Sequence, residues 1–223
     1  MDVGIGMAIV ALGAGAIGAG RRLLERRRAH RELVSKPALD ASIAEGTVVR
    51  VTGVVRVLER TLEAPLSGAT CVVVRSQVRA KGFGLAALRP KETVTMVPFL
   101  LEREGEGTVS IEGVHVLLDL KPLSLARPHR KNETERARRQ QFVLAHGFNT
   151  RQARRAAFAF WETIVEPGMT VSVAGLMMKD VGEPPPVGEE LGFRDTAAPA
   201  RRLAGNVEHP LVIGAPVDRK QLA

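Results

Sequence analysis

Few side chains in this sequence are spaced for chemistry. The sharpest spacing is Gly13-Ala14-Gly15-Ala16-Ile17-Gly18, which matches G-x-G-x-x-G. That pattern cradles a dinucleotide pyrophosphate where a strand turns into a helix, and it needs an acid about 20 residues on to hold the ribose. Residues 7–12 fit the strand and residues 21–33 the helix. The next strand-like run, 47–57, meets no acid before Glu59, and Pro37 interrupts the interval. No α/β alternation follows, which argues against the dinucleotide reading. Ser67 stands in Pro-Leu-Ser-Gly, not in a G-x-S-x-G elbow, and reads as a turn serine. Cys71 is the single cysteine, so neither an intrachain disulfide nor a Cys-based zinc set can form. At the head of a β-run it reads as a small buried hydrophobe. His30, His115, His129, His146 and His209 lack the i, i+4 spacing of a metal helix. Asn132-Glu133-Thr134 matches a glycosylation sequon, which a cytoplasmic body leaves unused. With no nucleophile–base pair, metal set or phosphate loop, the expectation is a protein without catalysis, metal or cofactor.

The charge of +8 gathers in two clusters. Residues 21–36 carry seven Lys/Arg against Glu25 and Glu32, and residues 127–155 carry nine against Glu133 and Glu135. Arg21, Arg22, Arg26, Arg27 and Arg28 suit anionic lipid headgroups, each gaining about 1 kcal/mol near such a surface. Arg127, Arg130, Lys131, Arg138, Arg139, Arg151, Arg154 and Arg155 form the second cluster. It is the expected contact for an anionic partner, or else a solvated basic face beside packed aromatics. Single-stranded nucleic acid would need bases stacked on exposed rings. There is no Tyr, and Phe142, Phe148, Phe158, Phe160 and Trp161 sit where packing accounts for them, so nucleic acid is a lesser alternative.

Residues 3–20 carry no charge. As a helix they reach roughly 27 Å, close to the ~30 Å hydrocarbon core of a bilayer. The arginines follow the run instead of preceding it, the opposite of a cleaved signal peptide. Cationic flanks stay cytoplasmic, so the expected topology is a single N-terminal span, N-terminus out and body in. Gly4, Ala8, Ala11, Gly15 and Ala19 share one helical face, which suits a homo-oligomer or a partner helix, or is merely tolerated in lipid.

Residues 21–43 read as a basic juxtamembrane helix and linker. Leu23, Leu24 and Leu33 give that helix little apolar face, so it is expected in headgroups or solvent, ending at Pro37. The period then changes to two. Val49, Val51, Val55 and Val57 share a face with Gly53, where a glycine signals close backbone approach. Strands are expected over 71–78, 93–101 with Pro98 at an edge or bulge, 108–118 and 169–178. Residues 131–165 read as a helical insertion. Its first helix stops at His146-Gly147. Its second is capped by Asn149 and turns Ala156, Phe160 and Ile164, with Ala157 and Trp161, to one side. Residues 181–223 read as a Pro/Gly-rich loop and tail. The expected fold is mainly β with a helical insertion, an OB-like small barrel or sandwich over 44–180, behind one N-terminal transmembrane helix at 1–20.

The ordered pieces Val51-Thr52-Gly53, Leu62 through Pro65-Leu66-Ser67-Gly68 to Cys71-Val72, Val97-Pro98-Phe99, and Trp161-Glu162 through Pro167-Gly168 to Gly175 form a pattern. Over about residues 45–180 it resembles the GIDE, or beside-a-membrane (BAM), domain. That domain is found in membrane-anchored RING-type E3 ubiquitin ligases and in many bacterial membrane proteins. The resemblance implies a β-rich scaffold or recognition domain lying against the membrane. It gives Gly53, Pro65, Gly68, Cys71, Phe99, Glu162, Gly168 and Gly175 structural roles. One cysteine cannot supply a RING, and no second long apolar run exists, so ligase chemistry does not carry over. The family pattern tends to an Asp after the Phe99 strand, where this chain has Glu102 and Arg103.

Overall fold

The computed structural model describes residues 27–39, 43–81, 90–105, 107–125, 132–148, 157–179 and 201–217. Alternation over the first valine run makes β1, Val48–Val57, with Val49, Val51 and Val55 buried and Thr52 and Arg56 exposed. A short hairpin follows, β2 (Leu62–Glu63) and β3 (Thr70–Cys71), then β4 (Val73–Lys81). The expected third strand is two: β5 (Lys91–Met96) and β6 (Phe99–Arg103), broken at Val97-Pro98. Pro98 cannot donate to a ladder, so the chain changes sheets there. The expected fourth strand is also two, β7 (Gly107–Gly113) and β8 (Val116–Asp119), and β9 is Leu123–Leu125. After the α2 helix (Glu133–Ala145) come β10 (Ala157–Val165), β11 (Thr170–Lys179), β12 (Arg201–Gly205) and β13 (Leu211–Gly214).

Strands β1, β6, β7, β12 and β11 form a ring, closed by antiparallel pairing of β1 with β11. Mainly β, with a closed five-stranded barrel, is therefore the architecture. Phe99, Leu101, Ile111, Leu203 and Leu211 are fully buried in its interior. Strands β12 and β13 follow one another along β11, with 206–210 looped out between them, and β7 and β8 follow alongside in parallel. A second sheet, in the order β5-β4-β10-β9, leans on the barrel through Val73, Val97 and Val165.

The second half of the expected insertion is not helical. Residues 157–165 are β10, paired with β4 along its length and with β9. Phe158 and Phe160 alternate with Trp161 and Thr163, which is period two. One face packs on α2 in a cluster with Leu66, Val78 and Phe142, and the other does not. The helix α2 itself fits expectation. Asn132 caps it, its side-chain oxygen accepting from the Glu135 N–H at 3.1 Å, and the chain leaves through Gly147 at φ 79°.

Two further corrections concern the ends. Residues 27–35 form α1, and this helix docks instead of lying free. Ala29 and Leu33, one turn apart, bury against Ala174 and Val212. The buried Arg50 guanidinium donates to the Leu33 and Val34 carbonyls at 3.4 and 3.2 Å, capping the helix, and His30 Nδ1 meets Asp119 Oδ2 at 2.8 Å. The domain also runs past residue 180, because β12 and β13 belong to it. No helix among the described residues is long and apolar enough to cross a membrane. The expected span, its Gly4/Ala8/Ala11/Gly15/Ala19 face, the Gly13–Gly18 run, and Arg21, Arg22 and Arg26 lie outside the described residues.

Candidate functional site

Among the described residues, Glu162 is an ionisable side chain held by three hydrogen bonds. Strand β10 carries it, 3% exposed, toward the turn between β2 and β3. Its Oε1 accepts from the Leu66 N–H at 3.1 Å and the Ser76 hydroxyl at 2.7 Å, and its Oε2 accepts from the Ser67 N–H at 3.0 Å. The carboxylate thus takes the place of a missing strand partner for the turn. Pro65 lies in that turn and Gly68 ends it at φ +78°, where any Cβ would collide with the Arg138 guanidinium. Ser67 accepts from the Ala69 N–H, the local role expected of a turn serine.

The second basic cluster is not one surface. Arg127, Arg130, Lys131, Arg151, Arg154 and Arg155 lie outside the described residues. Arg138 is ion-paired with Glu63 across the turn. Arg139 is 5% exposed, ion-paired with Glu135, and stacked 5.3 Å from the Phe160 ring centre. Arg138 fastens α2 to the β2–β3 hairpin and Arg139 packs it on β10, which corrects the expectation that they meet an outside anion. Arg27 and Arg28 are exposed on α1.

Cys71 is fully buried, with Sγ 3.7 Å from the Leu62 carbonyl. Burial, then the charges of Glu162 and Glu166, pushes the thiol up to about 11. It stays protonated and unreactive at neutral pH. We expect no alkylation by iodoacetamide at pH 8 until the protein is unfolded; fast labelling of the native fold would contradict this. The raised value makes the folded state hold its proton more tightly, so stability should fall as pH rises from about 9 to about 11. A Cys71→Ala variant should lose that slope. Among the remaining pattern residues, Phe99 sits in the barrel core, Gly168 turns β10 into β11, and Gly175 lies under Leu211.

One concavity among the described residues has a tryptophan in its lining. It lies where the outer face of the second sheet meets β8 and the first described turn of α1, with a volume of about 300 Å³. Its floor carries Trp161, the only tryptophan, beside Val94, 40% exposed. Arg75 and Gln77 both donate to Glu92 Oε2, at 2.9 and 2.7 Å, while the Arg75 Nε is buried without a hydrogen-bond partner. Leu117 and Ala29 form the opposite wall. A second groove of about 370 Å³, between α2 and the β2–β3 turn, is crossed by the Arg138–Glu63 pair. The first cleft is apolar where it is open, which suits contact and not bond-breaking. Its signal in the sequence was slight: Arg75 and Gln77 alternating within a valine run, and one tryptophan. Among the described residues no three His, Cys, Asp or Glu side chains gather as metal ligands. No family model, curated protein or solved structure matches this chain.

Proposed function

We propose that this chain is a membrane-tethered, noncatalytic recognition or scaffold protein of the GIDE/BAM type, with an OB-like barrel held at the cytoplasmic face and a partner protein seated in the Trp161 cleft. The observation that carries this is the docking of α1. That helix follows the uncharged run 3–20 within a few residues, and its first described turn forms a wall of the cleft. A tether entering there brings the cleft close to the bilayer, with Arg27 and Arg28 available to anionic headgroups. The ring of five strands supports the OB-like reading. A nucleic-acid role gains nothing from the barrel, because Phe142 and Phe148 are buried and Phe158 and Phe160 pack with them under α2, leaving no run of exposed rings for bases among the described residues.

Two measurements test this. The intact chain should sediment with membranes and resist carbonate extraction; recovery in the soluble fraction would overturn the tether. A photoreactive residue at Val94, in the full-length protein in its own cells, should give a discrete cross-linked protein that disappears in a Leu117→Glu background. Absence of any such product would overturn the partner.

A further inference from the structure

We infer that α1 is a hinged wall of the Trp161 cleft: it peels from the barrel at its Ala29 end, swings about residues 36–37, and opens the site as it lifts. The swing stands on the packing of α1 alone. Its effect on a partner rests on the cleft being the partner site.

The two ends of α1 are held differently. Past its C-terminal end the chain is stitched to β1 by backbone. The Arg50 N–H donates to the Pro37 carbonyl and the Leu39 N–H to the Arg50 carbonyl, both at 2.8 Å. Leu39 is buried in the barrel core, and the Arg50 guanidinium adds its bonds to the Leu33 and Val34 carbonyls. Toward the other end the hold shrinks to the buried Ala29 methyl and to His30 against Asp119, with the His30 side chain 58% exposed. Among the described residues of the helix, Leu33 is the one large apolar side chain that is buried. Ordering residues 27–35 opposes docking, and so few buried apolar groups place α1 at the low end of local stability. Lifting it strands nothing: the Arg50 guanidinium and the Asp119 carboxylate regain water where the helix covered them.

The weakly held end is also the cleft end. Ala29 walls the hollow across from Trp161. The chain before it leads to the uncharged run 3–20. A pull from that run meets Ala29 and His30 first, then Leu33, and the β1 stitches last. It loads the fastenings one at a time, as a peel. The cleft has its wall while α1 is docked, so lifting α1 releases what the cleft holds.

Amide hydrogen exchange of the full-length protein in mild detergent reads the hinge. Amides 31–35 should exchange about tenfold faster, or more, than those of Leu39 and Arg50. His30→Ala, at an exposed position, should speed amides 31–35 by roughly threefold and leave Leu39 and Arg50 unchanged. Leu33→Ala should do the same more strongly. Trp161 is the sole tryptophan, and acrylamide should quench it more in both variants. Amides 31–35 exchanging in step with Leu39 and Arg50 would overturn the hinge. So would variants that speed both sets equally, or that speed α1 and leave Trp161 quenching as it was. A Val94 cross-link should weaken in His30→Ala; undiminished yield would reject the release. No cross-link in the native protein, with the exchange pattern as expected, would reject the partner and leave the hinge standing.

Discussion

Replacing Glu162 by alanine should destabilise the protein by about 3 kcal/mol. A hydrogen bond to a charged group contributes roughly 1.5–3 kcal/mol, and a buried donor left without a partner costs about 1–3 kcal/mol more. Three donors meet this carboxylate. Ser67 is exposed and can turn to water, but Leu66 is fully buried and Ser76 is 1% exposed, so their donors would be stranded. Glu162→Gln keeps an acceptor oxygen but sets an NH2 against an N–H, and should lose about half as much. Urea unfolding, read at Trp161 with the m-value held constant, measures both. A loss below about 1 kcal/mol in the alanine variant would mean that the turn holds itself. The turn also covers Cys71 through Ala64, so the same variant should let the native thiol alkylate.

The second large effect is expected at Gly53. Strand β1 changes partner here, with Gly53 opposite Val171 on β11 and Val54 opposite Glu102 on β6. A Cβ on Gly53 would stand 2.6 Å from the Glu102 carbonyl oxygen and 3.1 Å from its carbon. Both are backbone atoms of the neighbouring strand, so relief requires the β1–β6 seam to part. Overpacking of this kind costs about 1–3 kcal/mol and sometimes more, and a β-branched side chain belongs at the upper end. Gly53→Val should therefore lose at least about 3 kcal/mol and express mainly as insoluble protein. Arg56→Gln, three residues on, removes only an exposed pair with Glu102 and should cost under about 1 kcal/mol. Equal melting temperatures for the glycine variant and the native chain would show that the seam is looser than its geometry.

These two residues mark what the sequence disclosed. Gly53 was legible because an isolated glycine in an alternating valine run has few explanations other than close approach. The turn at 64–68 and the stop at Gly147 were legible for the same local reason. Strand β10 was not. Phe158, Phe160 and Trp161 satisfy a helical stripe as well as an alternating one, and only the pairing of β10 with β4 decides between them. Strand β12 was hidden because Leu203 is its only fully buried side chain, between arginines and glycine. The docking of α1 was hidden because among its described residues the helix buries just Ala29 and Leu33, and the room for Leu33 comes from Gly214, far along the chain. The cleft depends on three such distant meetings, so no local pattern announced it. Family resemblance pointed to Glu162 but not to what it holds.

The position of β12 in the ring has a consequence for synthesis. It is the wedge between β7 and β11, and it is made after every other strand of the barrel. While residues 201–214 are still inside the ribosome, β7 and β11 each have a bare side, and the hollow interior is wet. Helix α1, made before any of the strands, rests on Ala174, Val212 and Gly214 and has nothing complete to sit on until β13 is made. Until β12 is made, the nascent barrel keeps two open strand edges, each a template for pairing with another chain.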